Sequence, residues 1–227
     1  MVSVLVPYRP DRGYRDRAWK WNRRRWEAMP DAELVVSIAP EGRSPAEFNH
    51  PLAINQAAER AKGNILVIAD ADTAFDPQWV ADAANLVETG IAPWVLPRFY
   101  DKVGRRSSSE VLGADPLGPM PDYTPEWHGD SVSWSGLVVV SVEAFEAVEG
   151  YDERISWWGA DDICFGLTMD ALWGKHVRLE GSAVHLWHPQ SLADTYGHER
   201  HAEQQALVDR YIAAAEDPEA IREVRFS

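Results

Sequence analysis

The chain has 227 residues, 45% of them apolar and 26% charged, a balance that supports a packed core and argues against general disorder. Its 36 acidic and 22 basic side chains leave a formal net charge of −14, which disfavours stable capture of nucleic acid through its phosphates. No apolar run approaches the roughly 18–20 residues of a membrane-spanning helix, and the single Cys164 permits no intramolecular disulfide, so a reducing cytoplasm is the expected setting.

Val2 to Val6 is a β-branched apolar run ended by Pro7; it predicts a first strand, and with no basic leader before it, not a signal peptide. Trp19, Arg23 and Trp26 recur at helical spacing and predict a helix over 14–29, closed by Pro30. The arginines from Arg9 to Arg25 read as a solvated helix face, with one or two turned toward phosphate. Glu33 to Ile38 predicts a second strand. A helix then opens at Asn49, carries Pro51 in its first turn and stops at Gly63. Ile65 to Ala69 follows as a third strand ending at Asp70. This β-α-β-α-β order predicts an α/β fold, an open, mostly parallel sheet with helices on both faces.

Asp76 and Pro77 begin another helix through Leu86, and Ala92 to Leu96 reads as a strand. From Tyr100 to His128 the abundance of Gly, Pro, Ser and Asp predicts a long loop near the site. Further expectations are a strand at Gly136–Val140, helices at Val142–Val148 and Asp161–Leu172, a strand pair or extended segment at Val177–Leu186, and an outer helix over 198–215. The whole reads as one domain, 1–227, made of a first half (1–97), a second half (98–197) and a C-terminal helix and tail (198–227).

Asp70-Ala71-Asp72 directly follows the third strand, at the sheet end where open α/β folds collect ligands. Two carboxylates one residue apart can share one side of a tight turn and hold Mn2+ or Mg2+ against a diphosphate. Asp72 is the first choice as direct ligand, with Asp70 acting through water or facing a ribose. The same pair would otherwise be turn and cap residues. In AVHLWHP, His185 and His188 bracket Trp187, and either imidazole could complete an aspartate-led metal site. In WWGADD, Gly159 permits a tight turn, Trp157 and Trp158 offer flat walls for a sugar, and Asp161 and Asp162 enter the start of an apolar helix. Asp162 is the better candidate for a general base, with Asp161 orienting a hydroxyl; the plain alternative is an N-cap role. Trp134, Ser135 and Gly136 form a turn whose glycine lets a donor or acceptor approach the backbone. Glu41 lies where a base- or ribose-binding carboxylate would sit. The chain has 11 tryptophans, a usage that suits stacking on sugar rings and suits core packing equally well.

VSVLVPYR, KGNILVIADAD and, above all, the run from Trp134 (WSGLVVVSVEAF) to GYDERISWWGADD resemble metal-dependent nucleotide-sugar glycosyltransferases of the GT-A fold. The likeness spans roughly residues 2–190 and is closest to the family-2-like enzymes and the related galactosyl- and N-acetylgalactosaminyltransferases. The resemblance implies that Pro7, Tyr8 and Arg9 contact the nucleotide, that Asp70 and Asp72 are the metal-binding aspartates, and that His185 joins them. WWGADD is similar to the family's Trp-Gly-Gly-Glu-Asp pattern, with Ala160 in place of a glycine and Asp161 in place of a glutamate. The expected function is transfer of a sugar from a nucleoside-diphosphate donor, first of all a UDP-sugar, to a hydroxyl acceptor on a glycan, protein, metabolite or modified base. An inverting displacement is slightly favoured. The rivals are a nucleotidyltransferase, whose glycine-rich basic first loop PYRPDRG matches poorly, and a carbohydrate-binding protein of the same fold.

Overall fold

The fold is that of a computed structural model, which describes residues 1–38, 48–155, 160–189 and 198–227, the side chains of 198–203 excepted. Three parallel strands start it: β1 (Val2–Tyr8) lies between β2 (Ala32–Ile38) and β3 (Ile65–Ala69). The crossovers are α1 (Tyr14–Glu27) and α2 (His50–Ala58). After a two-residue strand β4 (Thr73–Ala74) come α3 (Pro77–Glu88), β5 (Trp94–Val103), α4 (Arg105–Gly113), β6 (Pro125–Asp130), β7 (Leu137–Ser141) and α5 (Val142–Ala147). The chain closes with α6 (Ala160–Leu172), β8 (Val177–His185), α7 (His198–Ala214) and α8 (Pro218–Phe226). The eight strands make one sheet in the order β2-β1-β3-β7-β5-β8-β4, with β6 beside β5. β7 runs antiparallel to both β3 and β5, and β5 pairs with β8 in parallel, so the two expected halves share one continuous sheet.

Period-two alternation along the strands divides the core between two faces. Val4 and Val6 of β1, with Ile65 and Val67 of β3, face α1 and α3, where Trp19, Trp26 and Trp79 fill the layer. Leu5, Leu66 and Ile68 point the other way, onto Ile54 of α2, Phe145 of α5, and Phe165 and Met169 of α6. Beyond α6, a further layer gathers Ile155, Cys164, Tyr211 and Ile221.

The expected loop from Tyr100 to His128 is largely ordered into elements. β5 runs on to Val103, α4 follows at once, and β6 pairs back on β5 from Val103 to Phe99. Composition misleads here because β5 has partners on both sides, β7 and β6 on one and β8 on the other, and that pairing outweighs the weak strand propensity around Pro97. α2 ends at Ala58, short of Gly63. Of the two readings of 177–186, the extended segment holds and the pair does not: Val177–His185 is a single strand. α8 was legible in principle and not foreseen: the Asp217 side chain accepts from the backbone N–H groups of Glu219 and Ala220, and Pro218 begins the helix.

Candidate active site

The turn after β3 is held by hydrogen bonds to its backbone from three directions. The Asp70 amide donates to the Gly136 carbonyl at 3.2 Å, the Leu186 amide to the Asp72 carbonyl at 2.9 Å, and Asn22 Nδ2 to the Ala71 carbonyl at 3.0 Å. Immediately after it, β4 pairs antiparallel with the end of β8, which sets Thr73 opposite His185. That register brings residues more than a hundred positions apart in sequence together at the carboxyl end of β3. His185 Nε2 lies 3.9 Å from Asp72 Oδ1, and His188 Nε2 lies 3.4 Å from Asp72 Oδ2. One ligand atom from each of Asp72, His185 and His188 falls within 4.8 Å of the others. A carboxylate oxygen with two imidazole nitrogens suits a divalent ion such as Mn2+ or Zn2+ better than an all-oxygen magnesium site.

Arg15, from the first turn of α1, reaches into this cluster. Its Nε donates to Asp72 Oδ2 and its Nη2 lies against His188 Nε2, each at 3.1 Å. Burial pushes the Asp72 carboxyl up, but its interactions with the His185, Arg15 and His188 side chains outweigh it and hold Asp72 below the usual carboxylate range. Burial, with the charge of Arg15, lowers His188, which favours the neutral imidazole a metal requires.

The second half of the site sits in the first turn of α6. Asp161, almost wholly buried, accepts a hydrogen bond from His50 Nδ1 at 2.7 Å, and His50 Nε2 is 3.4 Å from Asp70 Oδ1. His50 thus bridges two carboxylates from different elements. Burial opposes its charge, yet Asp161 and Asp70 together raise its pKa well above the ordinary histidine value. Asp161 is therefore engaged with an imidazole, where the sequence suggested that it orients a hydroxyl. Asp162 accepts from the Tyr151 hydroxyl at 3.3 Å, and burial first, then the Asp161 charge, push it well above the normal carboxylate range. Both carboxylates lie inside the helix, after its first residue, and not at the N-cap. Tyr100 is buried, and the carboxylates of Asp70, Asp72 and Asp162 add to burial in keeping its hydroxyl protonated.

The remaining candidates are distributed as follows. Tyr8 packs against Trp19 in a tilted pair, with centroids 5.4 Å apart, and its hydroxyl donates to Asp16 at 2.7 Å. Pro7 pairs with Ser37 in the sheet, and Arg9 follows the end of β1. The Trp134 indole stacks on Trp94 and packs against His176 and Gly166, so its ring serves the core. Gly136 adopts a positive φ of 88°, and a side chain there would meet the Tyr100 ring, with Thr73 Oγ1 close behind. Glu41, Trp157, Trp158 and Gly159 lie outside the described residues. Trp19, Trp21, Trp26, Trp79 and Trp94 are all buried, which resolves those tryptophans as core packing. Arg25 is likewise buried, bonded to the carbonyls of Phe75, Pro116 and Gly118, and is no part of a solvated face.

Three residues at the site escaped sequence reasoning as individuals. Arg15 was one of several arginines with nothing to single it out. His50 stood unremarked beside the Asn49 cap, and Tyr100 fell in the expected loop. Only the last had a local signal, as the end of the apolar, aromatic run WVLPRFY.

Residues 43–127, less than half of the chain, match the family model described as glycosyl transferase family 2. No curated protein sequence matches the chain. Among solved structures, TarS of S. aureus (residues 1–349) is similar with a TM-score of 0.60 and 13% identity, over 98% of this chain and 68% of that one. The catalytic domain of Drosophila β1,4-galactosyltransferase 7, in complex with xylobiose, gives a TM-score of 0.53 and 14% identity over 88% of this chain and 79% of its own. Glucosyl-3-phosphoglycerate synthase from Mycobacterium tuberculosis, in complex with Mn2+, UDP and glucosyl-3-phosphoglycerate, gives 0.55 and 14% over 95% and 79%. At such identity these structures establish the fold. Among the described residues, no helix is long and apolar enough to cross a membrane.

Proposed function

We propose that the chain, which has the GT-A fold and a partial match to the glycosyl transferase family 2 model, is a glycosyltransferase that moves a sugar from a nucleoside-diphosphate donor, first of all a UDP-sugar, to a hydroxyl acceptor. The observation that carries this reading is the convergence of Asp72, His185 and His188 at the carboxyl end of β3, beside the paired carboxylates of α6. Those three residues are the ones that would hold a divalent ion, with Asp70 facing the ribose or acting through water. Bound there, Mn2+ or a similar ion would offset the charge of the departing diphosphate. The complexes of the Mycobacterium tuberculosis synthase with Mn2+ and UDP, and of the Pyrobaculum calidifontis mannosyltransferase with Mn2+ and GDP-mannose, support this choice of ion and donor.

In the proposed reaction the acceptor oxygen attacks the anomeric carbon, the bond from that carbon to the diphosphate breaks, and its electron pair leaves with the diphosphate. The acceptor proton passes to Asp162. Burial and the neighbouring Asp161 raise the affinity of Asp162 for a proton, as a base working near neutral pH needs, while Tyr151 holds the carboxylate in place. Asp161 and His50 tie the start of α6 to the Asp70 turn, so the base and the diphosphate-facing groups belong to one rigid unit. One in-line displacement of this kind inverts the anomeric centre. Trp157 and Trp158, next to α6 in sequence, are assigned to the wall of the sugar pocket, residues 1–97 to the nucleotide and 98–197 to the sugar and acceptor. A single, buried Cys164 suits a cytoplasmic setting.

The test is a panel of nucleotide sugars scored for thermal stabilisation with Mn2+ and for metal-dependent release of the nucleoside diphosphate. A shift with one or more UDP-sugars is expected. If no sugar nucleotide stabilises the protein at saturating Mn2+, the assignment falls.

A further inference from the structure

The ring nitrogen that His188 offers to the metal cluster is already in use. Its other nitrogen, Nδ1, donates to the Pro189 carbonyl at 2.8 Å, which leaves the lone pair on Nε2. That Nε2 is the atom 3.4 Å from Asp72 and 3.1 Å from Arg15 Nη2, so the guanidinium donates into the lone pair that an ion would take. At the same time Arg15 Nε donates to Oδ2 of Asp72, a residue of the same ligand set. One lone pair serves one partner.

We propose that Arg15 and the divalent ion are alternative occupants of the Asp72–His188 site, and that the guanidinium, displaced as the ion enters, turns to the donor's diphosphate. The proposal rests on the reading of this cluster as the metal site. Three features favour exchange over a fixed structural bridge. First, the backbone around Arg15 is pinned independently of its side chain. Asp11 accepts from the amides of Gly13, Arg15 and Asp16, and Asp16 accepts from those of Asp11 and Arg12. Second, the Arg15 side chain keeps 21% of its surface exposed, so a rotation suffices to release it. Third, a guanidinium expelled from a carboxylate needs another anion, and a diphosphate presents the paired oxygens that its planar fork binds best. Ion and donor then assist each other, because each removes a cost of binding the other.

The experiment is calorimetric titration of Mn2+ into wild type, Arg15→Met and Arg15→Gln, each checked for fold by circular dichroism, with and without saturating UDP. Without UDP, both variants should bind Mn2+ more tightly than wild type by about tenfold or more, since a charge-assisted competitor is gone. That gain should persist at about 0.5 M salt, where through-space repulsion is screened. UDP should tighten Mn2+ binding more in wild type than in either variant. Equal or weaker Mn2+ binding by the variants, a gain that vanishes at high salt, or an unchanged response to UDP would overturn the proposal. Absence of Mn2+ binding from all three proteins would instead remove the metal site itself, and this inference with it.

Discussion

At the residue scale the site separates into two charge problems. Against burial, Asp72 is held below the usual carboxylate range by its neighbours His185, Arg15 and His188, as the proposed role of metal ligand needs. Asp162 is driven toward protonation by burial and by its neighbour, as suits the proposed base. Asp72→Asn preserves shape and removes the charge, so turnover should fall by about 100-fold or more while the melting temperature changes little. Assays over a Mn2+ series, with thermal melts, check this. Asp162→Asn should lower kcat by about 100- to 10,000-fold and leave donor affinity nearly unchanged, which product release and UDP titration would separate. The sign of the pH dependence follows. The base acts when ionised and its pKa is raised, so kcat/KM should decline as pH falls through a value above the ordinary carboxylate range. A profile flat down to about pH 4 would remove Asp162 from the role.

At the scale of elements, the site depends on how closely a few segments approach. β7 enters antiparallel beside β3, and its leading turn places Gly136 against Tyr100 and Thr73 with a backbone conformation that side chains rarely adopt. Gly136→Ala should cost about 1–3 kcal/mol and shift the Tyr100 ring, reducing donor affinity and stability together. Equilibrium unfolding in urea, with UDP binding, tests that pairing of effects. α6 depends on Gly166 in a similar way: a methyl group there would collide with the Trp134 indole, which explains why that tryptophan is built into the core and not turned to a ligand. Much of this was readable in advance. β1, β3, α1, α3 and α6 follow from apolar runs and helical spacing with little error. The continuation of β5 past Leu96 and the strand β6 did not, because they are stabilised by neighbours more than by their own residues.

At the scale of the molecule, the C-terminal helices are fastened to the segment that precedes α6. Arg154 pairs with Asp152 at 2.7 Å and donates to the carbonyls of Val224, Arg225 and Ser227 in and just beyond α8, while Tyr211 of α7 donates to Asp152 at 2.7 Å. α7 and α8 therefore help to fix residues 152–154, which precede the proposed catalytic carboxylates in sequence. Arg154→Ala should destabilise the fold by about 2 kcal/mol, because it strips a charged donor from several acceptors at once. Thermal melts should fall by about 4–8 °C. Burial raises Asp152, but hydrogen bonds from Arg154 and Tyr211 outweigh it and leave it lowered. Its stabilising contribution is complete above the unfolded pKa near 4 and is lost as pH falls through the lower folded value. Asp152→Asn should flatten the acid limb of the stability curve measured by chemical unfolding.

The fold class, and the acidic residues proposed for the site, could be read from the chain by itself, because they rest on local signals. Strand and helix periods declare the layers, Asp70 and Asp72 follow an apolar strand directly, and Asp161 and Asp162 follow a glycine turn. The partnerships had to wait for the tertiary structure. His50 between Asp70 and Asp161, Arg15 between Asp72 and His188, and His185 opposite Thr73 each join residues far apart in sequence. Such contacts are set by sheet register and helix packing, and no short stretch of sequence carries that information.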